Sequence, residues 1–179
     1  KADGKGVVGV APGAEVISLK VFGNTGSTTF EIIFDAVSAA IDYVLEDEVD
    51  LWTDTGEIKY LGIAAKDTSA LNVNNTVINL SLGGGLNAQS QPIVDLIESA
   101  AAQGVKFAIA GGNSNADVDY TSPAAAGAVE NVYTVSAVDK KYVMASFTNY
   151  DDDDDGGAND DVDVAGPGVD VLSYTGDDG

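Results

Sequence analysis

The chain has 179 residues, of which 29 are acidic and 8 are basic, and its net charge at neutral pH is −21. It contains no histidine and no cysteine. These absences exclude disulfides, zinc fingers, thiol nucleophiles and a Ser–His–Asp triad built within these residues. So acidic a chain is not expected to bind nucleic acid or an anionic membrane surface, because both are polyanions. Hydrophobic residues make up 45% of the sequence, enough for one domain with a buried core.

The predicted elements alternate between strands and helices. In chain order they are a strand over 16–21, a helix over 30–45, a strand over 76–82, a helix over 92–103, and strands over 105–110, 132–138, 162–165 and 169–172. The first helix has apolar residues at three- and four-residue spacing, preceded by hydroxyls at 27–29 that can cap it. The second begins with Pro92 and stops at Gly104.

Apolar strands separated by helices predict an α/β fold of three layers, in which helices cover both faces of a mostly parallel sheet. Glycines follow two of the strands, at 83–85 and 111–112, and ligands bind at that edge of α/β sheets. Residues 46–75 are polar and interrupt the alternation, so we expect an insertion or a long surface loop there.

The two ends of the sequence favour an internal part of a longer chain, incomplete at both ends. It begins at Lys1 without an apolar leader and closes on Asp177, Asp178 and Gly179 without a terminal element. No apolar stretch is long enough to span a membrane.

Acidic residues concentrate near the end of the sequence, where eleven lie between Asp151 and Asp178 and five form the run Asp151–Asp155. We expect residues 151–161 to form a solvated acidic loop. The run begins like an EF-hand loop, but Val162 stands where a bidentate Glu is needed, so an EF-hand is excluded. Cation binding by these carboxylates remains an open alternative.

A series of short blocks extends along nearly the whole chain. They are GVVGVAP at 6–12, LKVFG at 19–23, VINLSLGG at 77–84, AGGN at 110–113, SPA at 122–124, VSAVD at 135–139, ASFTNY at 145–150 and VDVAGPG at 162–168. In sequence and in order these blocks resemble the subtilisin-like serine peptidases (subtilases). The resemblance implies a subtilisin-like fold and, in the intact protein, hydrolysis of peptide bonds by acyl transfer.

The catalytic Asp, His and Ser blocks of that family do not occur in this sequence. The resemblance places the first two before Gly6 and the third after Gly168. Asp54, Thr55 and Gly56 spell the family's Asp motif, but they come out of family order and are not expected to supply the triad Asp. The same tripeptide would also suit a dimeric aspartic peptidase, which needs one such motif per subunit. The flanking residues and the α/β alternation disfavour that class. We expect the 179-residue chain alone to have no peptidase activity.

The resemblance also implies roles for individual residues. Asn113 matches the family's side-chain donor to the oxyanion, although by itself an Asn after a strand is typical of a turn. The other matches are Ser81, Leu82 and Gly83 for the strand edge that pairs with an extended peptide, Gly26, Ser27 and Thr28 for the opposite side of that peptide, and Ala110, Gly111 and Gly112 for the wall of the pocket that takes the side chain before the scissile bond.

Calcium is the cofactor that the resemblance implies. Asp3 matches a carboxylate ligand of a family calcium loop, and Lys5 and Val7 match ligands that bind through backbone carbonyls. The remaining ligands of that site are expected upstream of this sequence. A weaker site is implied by carbonyls near Ala124 with the carboxylate of Asp161 or Asp163.

The predicted function of the intact protein is therefore a secreted, monomeric serine endopeptidase that acts on extended peptide or protein substrates. Two alternatives stay open: a non-catalytic subtilase-like protein and an acidic calcium-dependent binding module. A nucleotide-binding Rossmann fold is disfavoured, because no G-x-G-x-x-G joins the first strand to the first helix.

Overall fold

The computed structural model describes residues 9–23, 26–45, 72–152 and 161–172. Helix α1 spans Phe30–Leu45, as the sequence predicts. Thr29 caps it, because its hydroxyl oxygen accepts the N–H of Ile32 at 3.4 Å, an amide that the first turn leaves without a helical partner. Its buried residues include Ile33, Val37 and Ile41, which recur every four residues and so share one face.

Helix α2 spans Gln91–Ala101, starting one residue earlier and ending two earlier than predicted. Pro92 lies in its first turn, where the missing N–H costs no hydrogen bond. Gly104 follows the helix at φ +93°, a left-handed conformation that glycine adopts without a Cβ clash. The sequence signals at both ends of α2 are therefore confirmed.

The main sheet has four parallel strands in the order β1-β3-β5-β6. Their bounds are Val77–Leu80 for β1, Lys106–Ala110 for β3, Val132–Val138 for β5 and Val164–Pro167 for β6. Two short strands, β2 (Gly84–Gly85) and β4 (Thr121–Ser122), pair antiparallel in a separate sheet. The predicted α/β class with a mostly parallel sheet is confirmed, and β5 has the predicted bounds.

One face of the main sheet packs against both helices. Leu80, Phe107, Ile109 and Val132 share a single hydrophobic core with residues of α1 and α2, and the two helices contact each other. Side chains alternate between the faces of a strand, so the neighbours of these residues lie on the other face. There Tyr133 is 46% exposed, and the described helices do not cover it.

Two predicted strands are wrong. Residues 16–21 form no strand, and a cavity of about 870 Å³ lies between this segment, α1 and β1. The segment is apolar enough for a strand, but a strand also needs a backbone partner, and here it does not pair with the edge of β1. Residues 169–172 form no strand either, and Val171 and Leu172 are exposed rather than packed against β6.

The predicted insertion and acidic loop fall mostly outside the described residues. Of the insertion, only 72–75 are described, and they form a turn that leads into β1. Of the acidic loop, only 151, 152 and 161 are described. In the described ranges, neither helix combines the length and the apolar character needed to cross a membrane.

The core predicts a stability difference between two truncations. Phe107 is fully buried at the centre of the sheet, so Phe107→Ala should lower the free energy of unfolding by about 3–5 kcal/mol. Val143 is 59% exposed, and Val143→Ala should change it by no more than about 0.5 kcal/mol. Urea denaturation of both variants measures the difference, and equal midpoints would show that Phe107 is not a core residue.

Candidate active site

The carboxyl ends of the parallel strands surround a cavity of about 420 Å³. Strand alternation places most of the cavity on the face of the sheet opposite α1 and α2, because it is lined by Asn79, Ala108 and Val135, each of which has a buried neighbour along its strand. This edge is where α/β sheets bind ligands. The cavity is therefore the candidate active site.

Four of the residues predicted from the sequence line this cavity: Ser81, Ala110, Gly112 and Asn113. Ser81 follows β1, whereas the other three end or follow β3, so the parallel pairing of these two strands brings them together. Asn113 is exposed within the cavity. Its amide is thus accessible to a bound group.

The other predicted residues that the structure describes do not line this cavity. Gly111 is buried, and Leu82 lines the larger cavity between α1 and β1. Gly83 is exposed at the end of the Ser81–Gly83 segment. Gly26, Ser27 and Thr28 precede α1. Asp3, Lys5 and Val7 lie outside the described residues.

A buried asparagine holds the loop that carries Asn113. The side-chain oxygen of Asn149 accepts the N–H of Ser114 at 2.8 Å and that of Ala116 at 3.3 Å. Its Nδ2 donates to the carbonyl of Gly111 at 2.9 Å and to the Thr121 hydroxyl at 3.1 Å. Asn149 is 1% exposed, and two accepted and two donated bonds fill the hydrogen-bonding capacity of its carboxamide.

Backbone hydrogen bonds run alongside this side chain. Asn149 N–H donates to the carbonyl of Gly112 at 3.0 Å, Asn115 N–H to that of Phe147 at 2.9 Å, and Tyr150 N–H to that of Ala116 at 3.1 Å. The segment 147–150 therefore pairs with the loop 112–116 along its length.

Gly112 adopts a conformation that this contact requires. Its φ is +114°, and a Cβ added there would lie 2.5 Å from Nδ2 of Asn149. An L-residue side chain fits neither the backbone angle nor the space. The absence of a side chain at Gly112 thus allows the Asn149 amide to approach the backbone of the loop.

Sequence reasoning missed three polar residues at this site. Asn79 donates to the Ser81 hydroxyl at 3.0 Å, and Thr148, which also lines the cavity, accepts the N–H of Ala137 at 2.8 Å. Asn149 lies behind the loop. All three belong to the blocks VINLSLGG and ASFTNY. The sequence therefore identifies the blocks in which they lie, but it does not indicate their contacts, which depend on the tertiary structure.

An acidic cluster lies beyond the same loop. The N–H of Asp119 donates to the carboxylate of Asp117, which favours the ionised form, but partial burial and repulsion from Asp119, Asp152 and Asp151 outweigh that bond and raise the pKa of Asp117. The neighbouring carboxylates thus favour the protonated form of Asp117.

The oxygens of the weaker calcium site implied by the sequence are bonded within the protein. The carboxylate of Asp163 accepts the N–H of Thr134 at 2.7 Å, and the carbonyl of Ala124 accepts the Thr134 hydroxyl at 3.1 Å. In the part of the chain that the structure describes, no group of three or more acidic, His or Cys side chains could hold a metal ion. These contacts give no support to a cation bound by Asp163.

A mostly parallel sheet with a cavity at its carboxyl edge places the protein in the α/β class, whose members bind ligands at that edge, and comparisons with known proteins specify the family. The model of the subtilase family matches residues 1–178. The chain belongs to the subtilase family.

Fungal proteases are among the relatives. The chain is 33% identical over 165 residues to alkaline protease 1 of Aspergillus flavus, covering 92% of this chain and 32% of that protein. It is 35% identical over 166 residues to the subtilisin-like serine protease Pen c 2 of Penicillium citrinum, covering 92% and 30%. The chain thus spans about a third of the length of these relatives.

Solved structures agree with the fold. A protease from Pseudoalteromonas arctica matches with a TM-score of 0.59 and 28% identity, over 93% of this chain and 39% of that one. A cold-adapted subtilisin-like serine proteinase matches with a TM-score of 0.55 and 24% identity, over 83% and 39%.

The close approach of Asn149 predicts that Gly112 cannot be replaced. Gly112→Ala should lower the free energy of unfolding by at least about 1–3 kcal/mol, because the backbone is left-handed and the methyl group meets Nδ2 of Asn149. Gly84→Ala is the control, since a Cβ there has nothing within 4 Å. Thermal denaturation compares the two, and equal melting temperatures would contradict the geometry at Gly112.

Proposed function

We propose that the protein of which this chain forms a part is a serine endopeptidase, in which Asn113 stabilises the oxyanion. The observation that carries the proposal is the exposed Asn113 amide in the cavity at the carboxyl edge of a subtilase-family sheet. Acyl transfer places negative charge on the substrate carbonyl oxygen, and a donor fixed in advance stabilises that charge without reorganising.

The neighbouring residues suit the binding of an extended peptide. Ser81 lines the cavity and Gly83 is exposed beside it, so a peptide can approach the backbone of Ser81–Gly83 and pair with it as an added strand. Ala110 and Gly112 add little side-chain volume to the wall, which favours a large apolar side chain before the scissile bond. The substrates we propose are therefore peptides and proteins.

The nucleophile and its base must come from other residues of the longer protein. This sequence contains no histidine, so it has no imidazole to deprotonate a serine hydroxyl. In the proposed mechanism a serine attacks the carbonyl carbon, the base takes the hydroxyl proton, and the charged oxygen moves into reach of Asn113. The alternatives of a non-catalytic subtilase or an acidic binding module are not favoured by any contact at the cavity.

Replacing Asn113 tests the proposal. Asn113→Leu in the longer protein removes the donor at similar volume, so kcat on a peptide substrate should fall about 10²–10³-fold with little change in KM, a magnitude known from subtilisin, a member of the same family. Asn74→Leu is the control, because Asn74 is exposed in the turn before β1, away from the cavity.

The kcat values of these two variants and of the 179-residue chain decide whether the proposal holds. Loss of kcat for Asn113→Leu alone supports the proposal. An equal loss for both variants, or none for either, would overturn it. The 179-residue chain itself should show no turnover, and turnover by that chain would contradict the need for an external base.

We also propose that the protein binds calcium through Asp3, Lys5 and Val7 and acts outside the cell, on the basis of the sequence blocks alone. Calcium at about 100 times its Kd should then stabilise the longer protein by about 2.7 kcal/mol. Asp3→Asn should remove most of that gain, whereas Asp95→Asn, an exposed carboxylate of α2, should keep it. A melting temperature that does not respond to calcium or to a chelator would refute this site.

A further inference from the structure

We propose that Asn149 is the positioning residue for the oxyanion donor: its buried amide fixes the orientation of the loop that carries Asn113. This inference rests on the proposed function, since it assigns Asn149 a part in the same reaction. Asn149 acts through the backbone of the loop and does not itself face the cavity.

The hydrogen bonds of Asn149 enclose Asn113 from both sides. Its Nδ2 holds the carbonyl of Gly111, two residues before Asn113, and its Oδ1 holds the N–H of Ser114, the next residue. Asn113 therefore lies in a short backbone segment, residues 111–114, that the rigid, planar amide of Asn149 holds at both ends. The direction in which the Asn113 amide points depends on the orientation of that segment.

An oxyanion donor requires this degree of control. Donors act at about 2.7–3.1 Å from the developing charge, and a misplacement of about 1 Å at a reacting centre can cost about 10²-fold in rate. Asn113 is exposed, so the walls of the cavity do not hold its side chain in place. The order must come from the loop backbone, and the Asn149 side chain is bonded to that backbone at Gly111, Ser114 and Ala116.

The chemistry of the carboxamide is specific to this task. The loop presents a carbonyl at Gly111 and N–H groups at Ser114 and Ala116, so the anchoring side chain must both donate and accept. A carboxylate cannot donate to Gly111, and a hydroxyl is too short to reach both groups at once. The backbone hydrogen bonds between 147–150 and the loop do not involve the Asn149 side chain. Removing the amide should therefore make residues 111–114 more mobile while the loop stays bonded to 147–150.

A double-mutant cycle in the longer protein tests the inference. Asn149→Ala should lower kcat about 10–100-fold with KM nearly unchanged. In the Asn113→Leu background, where the donor is already absent, the same change should lower kcat less than about threefold further. Residues that act through one another give such non-additive effects, whereas independent defects multiply.

Ser90→Ala is the matched control for a purely structural loss. Ser90 is fully buried, and its hydroxyl donates to the carbonyl of Gly85 at 3.1 Å, away from the loop of Asn113. Any fold-loss of kcat that Ser90→Ala causes should be the same in the wild-type protein and in the Asn113→Leu background. If the fold-losses of kcat caused by Asn149→Ala and by Asn113→Leu also multiply in the double variant, Asn149 supports the fold only. The inference is then wrong, while the proposed function stands. If Asn113→Leu leaves kcat unchanged, the proposed function fails and the inference with it.

A second variant covers the case in which Asn149→Ala does not fold. Asn149→Asp keeps the oxygen that accepts from Ser114 and Ala116 but places an oxygen against the carbonyl of Gly111. It should lower kcat by an intermediate factor, again only when Asn113 is present. Hydrogen exchange of the Ser114 amide gives a readout besides activity: it should accelerate in Asn149→Ala and change little in Asn149→Asp. Unchanged exchange in Asn149→Ala, or an unchanged kcat in Asn149→Asp, would refute the anchoring role.

Discussion

The buried amide of Asn149 joins parts of the chain that are far apart in sequence. It bonds to the loop after β3, to Thr121 at the start of β4, and lies itself in the segment after β5. Leaving any of these groups buried without a partner costs about 1–3 kcal/mol. Together with the backbone hydrogen bonds of 147–150, this side chain holds the loop that carries Asn113, and it occupies the space that a Cβ at Gly112 would need.

The parallel sheet explains why this interaction can form at the candidate site. Register places Ala110 beside Val135, so the loops that follow β3 and β5 emerge at the same edge and can contact each other. The same face alternation keeps Phe107 and Ile109 in the core with the helices and leaves Ala108 and Ala110 for the cavity. Core and site therefore share strand β3, and Ile109 borders both of them. The hydrogen bonds of the Asn149 side chain lie beyond the ends of the main-sheet strands, so they do not interrupt the hydrophobic packing.

The sequence predicted those features that depend on local pattern. Helix α1 and strand β5 follow from apolar spacing and have the predicted bounds, and Gly104 ends α2 as expected. Local pattern failed at residues 16–21, because a strand also depends on an edge with which to pair, and that edge lies more than fifty residues away in β1. The contacts of Asn149 could not be predicted for the same reason. The groups at Gly111 and Thr121 that its side chain binds lie 38 and 28 residues earlier, and nothing in the sequence between them indicates the contact.

The arrangement also separates two requirements of acyl transfer. The nucleophile and base must change protonation during the reaction, whereas an oxyanion donor must only stay in place. This chain contains no histidine and contributes an amide that does not titrate, held by another amide that does not titrate. The orientation of Asn113 should for that reason be the same across the pH range in which a catalytic base gains or loses its proton. The carboxylate of Asp117, whose pKa is raised, lies on the far side of the same loop, where Val118 N–H donates to the carbonyl of Tyr150. Oδ1 of Asn149 accepts the N–H groups of Ser114 and Ala116, which lie between Asn113 and Asp117 along the chain, so a change in the charge of Asp117 meets a backbone that is already held there by a neutral group.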